Sequence, residues 1–121
     1  MRLPSSLHLK RSGDFARVRR EGSSAAGRHL VLAVLRDPDA TPFRFGLITG
    51  RKVGSAVERN RIRRRLREII REHQGKIQPG WVLVTIGRWS APKATYQQLE
   101  KDWLRLARKA GVLNDRHEQI P

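Results

Sequence analysis

Arg59-Asn60-Arg61 and the cations around it are the residues of this chain best suited to chemistry with a partner. Between positions 51 and 71 lie nine basic residues (Arg51, Lys52, Arg59, Arg61, Arg63, Arg64, Arg65, Arg67, Arg71) against Glu58 and Glu68, a net +7 of the +15 carried by all 121 residues. Twenty of the 26 basic residues are arginine. Guanidinium is a planar fork that grips phosphate through two hydrogen bonds and stacks on bases, so this excess points to a polyanion, nucleic acid above all. A surface charged only for solubility would intersperse both signs. Asn60 adds no charge, yet its amide both donates and accepts, as reading a base edge or a 2′-hydroxyl requires; capping or bracing a helix is its other use.

Groups that could cut nucleic acid are missing. Hydrolysis by the chain itself would need carboxylates gathered around magnesium, or histidines placed as general base and acid. Asp37 and Asp39 instead flank a turn proline, and His8, His29, His73 and His117 are scattered with no metal-binding spacing. Gly46 and the glycines at 50 and 54 fit no nucleotide-binding loop. His73, on an apolar helix stripe, is expected to be a packed residue, and Glu68 and Glu72 to pair with Arg64 and Arg65 rather than hold a metal. No catalytic residue, metal or cofactor is therefore expected on the protein itself.

Composition bounds the rest. The length suits one domain spanning 1–121. Cysteine is absent, which excludes a disulfide framework and thiolate metal sites. No run approaches the roughly 18 apolar residues of a membrane span, and Met1-Arg2-Leu3-Pro4 has no signal-like apolar stretch, so a cytoplasmic protein without a membrane partner is expected.

The elements that must position the arginines follow from caps and periods. Ser12 is expected to cap a short helix over 13–21 that stops at Gly22, with Phe15 and Val18 at helical spacing. A β-rich run over 28–36 ends at Asp37-Pro38-Asp39, and 43–49 is expected to return beside it as a hairpin; 24–26 could add an edge strand. Ser55-Ala56-Val57-Glu58 is a capping box opening a helix over 56–73, closed by Gly75. On its wheel Leu66, Ile69, Ile70 and His73 fall within about 80° of Ile62, an apolar stripe, while Asn60, Arg63, Arg64, Arg67 and Arg71 share the opposite flank. A buried strand over 81–87 follows, then a second capping box at Thr95–Gln98 and a last helix reaching Gly111. The fold class is α+β, an α/β sandwich in the order α-β-β-β-α-β-α, with an ordered core over about 7–112 and loose tails at 1–6 and 113–121.

Gly46-Leu47 followed by the segment from Arg51-Lys52-Val53-Gly54 through Glu58-Arg59-Asn60-Arg61 to Arg67-Glu68 closely resembles the signature of the bacterial ribonuclease P protein subunit. The likeness extends to Asp14-Phe15, Val18, Gly22, the Trp81 strand and the last helix. It implies a left-handed β-α-β crossover whose helix carries the arginine-asparagine-arginine motif. It further implies an RNA partner, ribonuclease P RNA in 1:1 ratio, that uses Mg2+ to remove the 5′ leader of precursor tRNA, the protein assisting rather than cutting. By resemblance Arg51, Lys52, Arg59, Asn60, Arg61, Arg63, Arg64, Arg67 and Arg71 would meet that RNA, and a cleft with Phe15, Val18, Arg19, Arg28 and Ala33 would hold the single-stranded leader. Arg19 and Ala33 stand where relatives often carry aromatics, so a more electrostatic leader contact is expected; Ile48-Thr49-Gly50 replaces a serine-rich segment, and no specific contact is carried onto it. Charge and size alone also fit a basic ribosomal protein; a DNA-binding protein ranks below it, for no helix-turn-helix spacing or dimer seam is evident.

Overall fold

The structure, a computed structural model, describes residues 2–114. Its elements are α1 (Ser12–Glu21), β1 (Ser23–Ala26), β2 (Leu30–Arg36), β3 (Arg44–Ile48), α2 (Ala56–His73), β4 (Trp81–Gly87) and α3 (Tyr96–Ala110). The sheet order is β1-β2-β4-β3, antiparallel except for the parallel pair β3 and β4. The expected hairpin between β2 and β3 does not form, because β4 lies between them. Its run Val82-Leu83-Val84 is buried throughout, one side chain against each helical layer in turn, and a strand apolar on both faces belongs at the centre of a sheet. The true hairpin joins β1 to β2, Ser23 opposite Val34 and Ala26 opposite Val31.

Alternation along the strands separates two apolar layers. Leu30, Leu32 and Val34 of β2, Phe45 and Leu47 of β3 and Leu83 of β4 join Ile62, Leu66, Ile69 and Ile70 of α2 and Leu99, Trp103 and Leu106 of α3 in the main core. On the other face Ala33, Val82 and Val84 meet Val18 of α1 and Leu9. The α/β sandwich is thus α1, sheet, then α2 with α3.

Two details of the N-terminal region differ from expectation. Ser12 is the first residue of α1, and the capping position is Arg11, which makes no side-chain cap. Within the expected tail, Ser5 and Ser6 enter a 3-10 turn (Ser5–Leu7); beyond it Leu7 and Leu9 are buried, and the Leu9 N–H donates to Phe45 O at 2.7 Å. This segment covers the otherwise open edge of β3, where unpaired backbone groups would be a liability. At the other end Leu113 is buried and bridges Ile77, so order runs past 112; residues 115–121 of the expected tail lie outside the described residues.

Both capping boxes form, with Ser55 and Glu58 exchanging bonds of 2.9 and 3.2 Å and Thr95 and Gln98 bonds of 2.9 and 3.1 Å. Gly54, at φ 153, makes the first one possible, since a Cβ there would strike the Glu58 carboxylate. The α2 helix ends at His73, capped by Gln74 in a 3-10 turn rather than at Gly75.

A buried carboxylate ties α3 to the start of β2. Asp102 accepts the backbone N–H of Arg28 (3.2 Å), His29 (2.9 Å) and Leu30 (3.0 Å), and Arg105 at 2.9 Å. Burial alone would raise this carboxyl, but the His29 N–H, the Arg105 guanidinium and the Arg28 and Leu30 N–H groups hold it below its ordinary value. Asp102→Ala, which orphans three backbone donors, is expected to cost about 3 kcal/mol in denaturant unfolding at neutral pH. Because the folded carboxyl titrates below the unfolded one, the wild-type advantage is complete at neutral pH and fades as pH falls through the lowered folded value, which unfolding curves measured down to acid pH would show.

Candidate nucleic-acid interface

The surface of α2 is the complement of its buried stripe. Ile62, Leu66, Ile69 and Ile70 are at most 1% exposed, so the rotation of the helix is fixed, and Asn60, Arg64 and Arg67 stand exposed on the far side. Arg63 is half-buried and braced, donating to the Thr49 hydroxyl at the end of β3 and to the Asn60 amide oxygen. Asn60 therefore serves as a brace, with its amide nitrogen still free to donate. Arg51 and Lys52, on the 3-10 turn Arg51–Val53, extend the same cationic surface beyond the helix start while Val53 anchors the turn in the core.

Arg59 and Arg61 are half-buried at the first turns of α2, and the Nε of each is enclosed without a partner among the described residues. Arg61 reaches Pro92 O at 3.4 Å and Arg65 reaches Ala94 O at 3.1 Å, so these two arginines clamp the loop before α3. Acidic groups do little to offset the cations. Glu58 is consumed by the cap, and the Ser55 backbone N–H, then the Ser55 hydroxyl, hold its carboxyl below the ordinary range. Glu68 pairs with Arg71 through Nε at 3.0 Å and through Nη2, which leaves Arg71 the least available cation of the flank and lowers the Glu68 carboxyl.

That pairing corrects the expected partners of Glu68 and Glu72. Neither engages Arg64 or Arg65 in a described bond: Glu68 takes Arg71 three residues on, and Glu72 accepts from Tyr96 OH at 3.1 Å. Tyr96 is pushed up to about 12, first by burial and then by this bond. His73 stacks on Trp103 at 6.4 Å and meets Glu100 at 2.9 Å, so it joins Glu72 and Glu100 in a group whose ligand atoms lie within 4.8 Å. Sequence spacing hid this group because Glu100 comes from α3.

The α1 cleft is only partly assembled as expected. Phe15 is half-buried over Gly46, its ring occupying the space a Cβ would need. Val18 and Ala33 are core, 2% and 1% exposed, and Arg19 is exposed on α1. Arg28 does not join them: it sits beside α3 with His29, Gln98, Lys101 and Arg105 because Asp102 holds its backbone there. Val31, Ile48 and Ile86, half-exposed register partners, share the α1 face of the sheet with Phe15 and were not singled out from the sequence. Their alternation with buried neighbours was the available signal.

Fold and surface together define a small, strongly basic α+β protein that holds an arginine flank on the back of a core helix. The ribonuclease P family profile matches residues 3–111, and the chain belongs to the ribonuclease P protein family. It is 34% identical over 110 residues to the ribonuclease P protein component of Syntrophomonas wolfei, covering 91% of this chain and 92% of that one. Identity to the component from Geobacillus sp. strain WCH70 is 37% over 111 residues, 92% and 96% of the two chains. Among solved structures, the Staphylococcus aureus RNase P protein superposes with a TM-score of 0.79 at 30% identity, covering 94% of this chain and 97% of that one. The Thermotoga maritima RNase P protein gives 0.74 at 27%, with 84% and 96% covered. Membership sets aside the ribosomal and DNA-binding alternatives. No helix among the described residues is long and apolar enough to cross a membrane.

Self-repulsion of +15 opposes compaction, and anions seated on the arginine flank would favour the folded state. Sulfate or phosphate is expected to raise the thermal midpoint, tenfold excess over the dissociation constant adding about 1.4 kcal/mol. A midpoint indifferent to these anions at constant ionic strength would contradict this.

Proposed function

We propose that this protein is the RNA-docking subunit of ribonuclease P and supports removal of the 5′ leader from precursor tRNA. The observation that carries the reading is the arginine flank of α2, cationic along its length and fixed in orientation by the buried stripe beneath it. Arg59, Asn60, Arg61, Arg63, Arg64 and Arg67, with Arg51 and Lys52 at the helix entrance, face the catalytic RNA in a 1:1 complex. Arg71 makes a weaker contribution, because Glu68 already opposes it. Phosphates seated on this face remove the repulsion between arginines four residues apart, such as Arg63 and Arg67.

The division of labour follows from side-chain chemistry. This face offers guanidinium groups and one amide rather than free carboxylates, so it suits phosphate and not magnesium. Mg2+ to activate water would be held by the RNA rather than by these side chains, and hydrolysis would leave the mature tRNA with a 5′-phosphate. The protein orients the substrate: the leader lies along the α1 face of the sheet beside Phe15, Val31, Ile48 and Ile86, with Arg19 at its rim. Stacking on the Phe15 ring contributes about 1–3 kcal/mol per base and tolerates any base, as a leader of variable sequence requires.

Purified protein mixed with ribonuclease P RNA and a 5′-extended tRNA at low magnesium is expected to stimulate leader removal; absence of stimulation would sink the proposal. Arg63→Ala and Arg67→Ala are each expected to weaken RNA binding and to reduce the log-log salt slope by about 0.7–0.9 per lost phosphate contact. An unchanged slope would mean that the RNA binds elsewhere.

A further inference from the structure

The end of α2 opposite its capping box gathers metal-ligating groups in a chain that is otherwise cationic. Glu72 and His73 are the last two residues of the helix, and a glutamate there faces the negative end of the helix dipole, where a cation is favoured instead. Glu100 of α3 brings a second carboxylate to the same place, its Oε2 2.9 Å from His73 Nε2. One ligand atom from each of the three residues lies within 4.8 Å of the others. Among the described residues no lysine or arginine forms a salt bridge with either glutamate, and Arg71, one residue before Glu72, is turned to Glu68.

The group is held in shape from outside. The His73 ring stacks on the buried Trp103, centroids 6.4 Å apart and planes at 23°, which fixes the direction of its edge. Tyr96 OH donates to Glu72 Oε1 at 3.1 Å, and an outer hydrogen bond of this kind orients a ligating carboxylate while its second oxygen stays available. Glu72 is exposed and the other two are half-buried, so an ion has a way in from solvent. One imidazole nitrogen with two carboxylate oxygens suits a first-row divalent transition metal such as Zn2+, water taking the fourth position, whereas Mg2+ prefers oxygen alone. Around a tetrahedral ion with ligands at about 2.1 Å the ligand atoms stand about 3.4 Å apart, which side-chain torsions reach from the observed spacing.

We propose that Glu72, His73 and Glu100 form a structural site for a divalent transition metal of the Zn2+ class, which joins the end of α2 to α3. The site is independent of the RNA reading above and of any Mg2+ that the RNA holds. An ordinary ion pair between the two helices needs only His73 and Glu100. A metal needs Glu72 as well, and that requirement separates the two by experiment.

Zn2+ is the probe. Chelator-treated full-length protein is titrated with it by calorimetry, and the thermal midpoint is recorded with and without the ion. One Zn2+ per chain is expected to bind and to raise the midpoint, because the unfolded chain lacks the assembled site. Glu72→Gln, Glu100→Gln and His73→Gln should each weaken binding by more than the roughly tenfold expected of Tyr96→Phe, which removes only the outer hydrogen bond. His8→Gln, outside the group, should leave binding unchanged, and Mg2+ in large excess should not compete. Glu72→Gln decides the matter should the half-buried variants fail to fold, since its exposed side chain is not part of the core. No stoichiometric Zn2+, or Zn2+ binding that survives Glu72→Gln undiminished, would overturn the site and leave a plain ion pair between the helices.

Discussion

Burial of Ile62, Leu66, Ile69 and Ile70 against the sheet sets the angle at which α2 lies, and most of the molecule's surface chemistry follows from that angle. With this stripe in the core, Asn60, Arg64 and Arg67 must point outward, whatever their mutual repulsion. The hydrophobic contribution of four fully buried branched side chains, about 1.5–3 kcal/mol each, outweighs the few tenths lost at each pair of like charges. The protein can therefore keep a helix that would be poor in isolation and turn its arginines outward.

The helix ends transmit the same constraint. At its start the Ser55–Glu58 box absorbs an acidic group that would otherwise dilute the cations, and Arg63 reaches back to Thr49 at the end of β3. Along its side Arg61 and Arg65 donate to the carbonyls of Pro92 and Ala94, which fixes the loop between β4 and α3. Asp102 completes the frame from α3 by gathering the backbone donors of Arg28, His29 and Leu30. Core, caps and clamps thus tie the arginine flank of α2 to the loop before α3.

Local chemistry was legible in the sequence and nonlocal pairing was not. Capping boxes and 3.6-residue periodicity identified α2 and α3 to the residue or nearly so, and the arginine flank was visible on a helical wheel. The place of β4 between β2 and β3 was misread because adjacent strands usually pair, although its two-sided apolar run was the better guide. The turn at Ser5–Leu7 was read partly as tail because what anchors that segment, the open edge of β3, lies far along the chain. Arg28 was assigned to the cleft by likeness, whereas a carboxylate from α3 decides where it sits.

The central claim is that the exposed flank of α2 is where the catalytic RNA docks. It is tested most directly by arginine modification with phenylglyoxal, mapped by mass spectrometry on the free protein and on its complex with ribonuclease P RNA. The account predicts protection at Arg59, Arg64 and Arg67, with little change at Arg71, which Glu68 already holds. Undiminished reactivity at those three positions, with protection confined to arginines off α2, would contradict it.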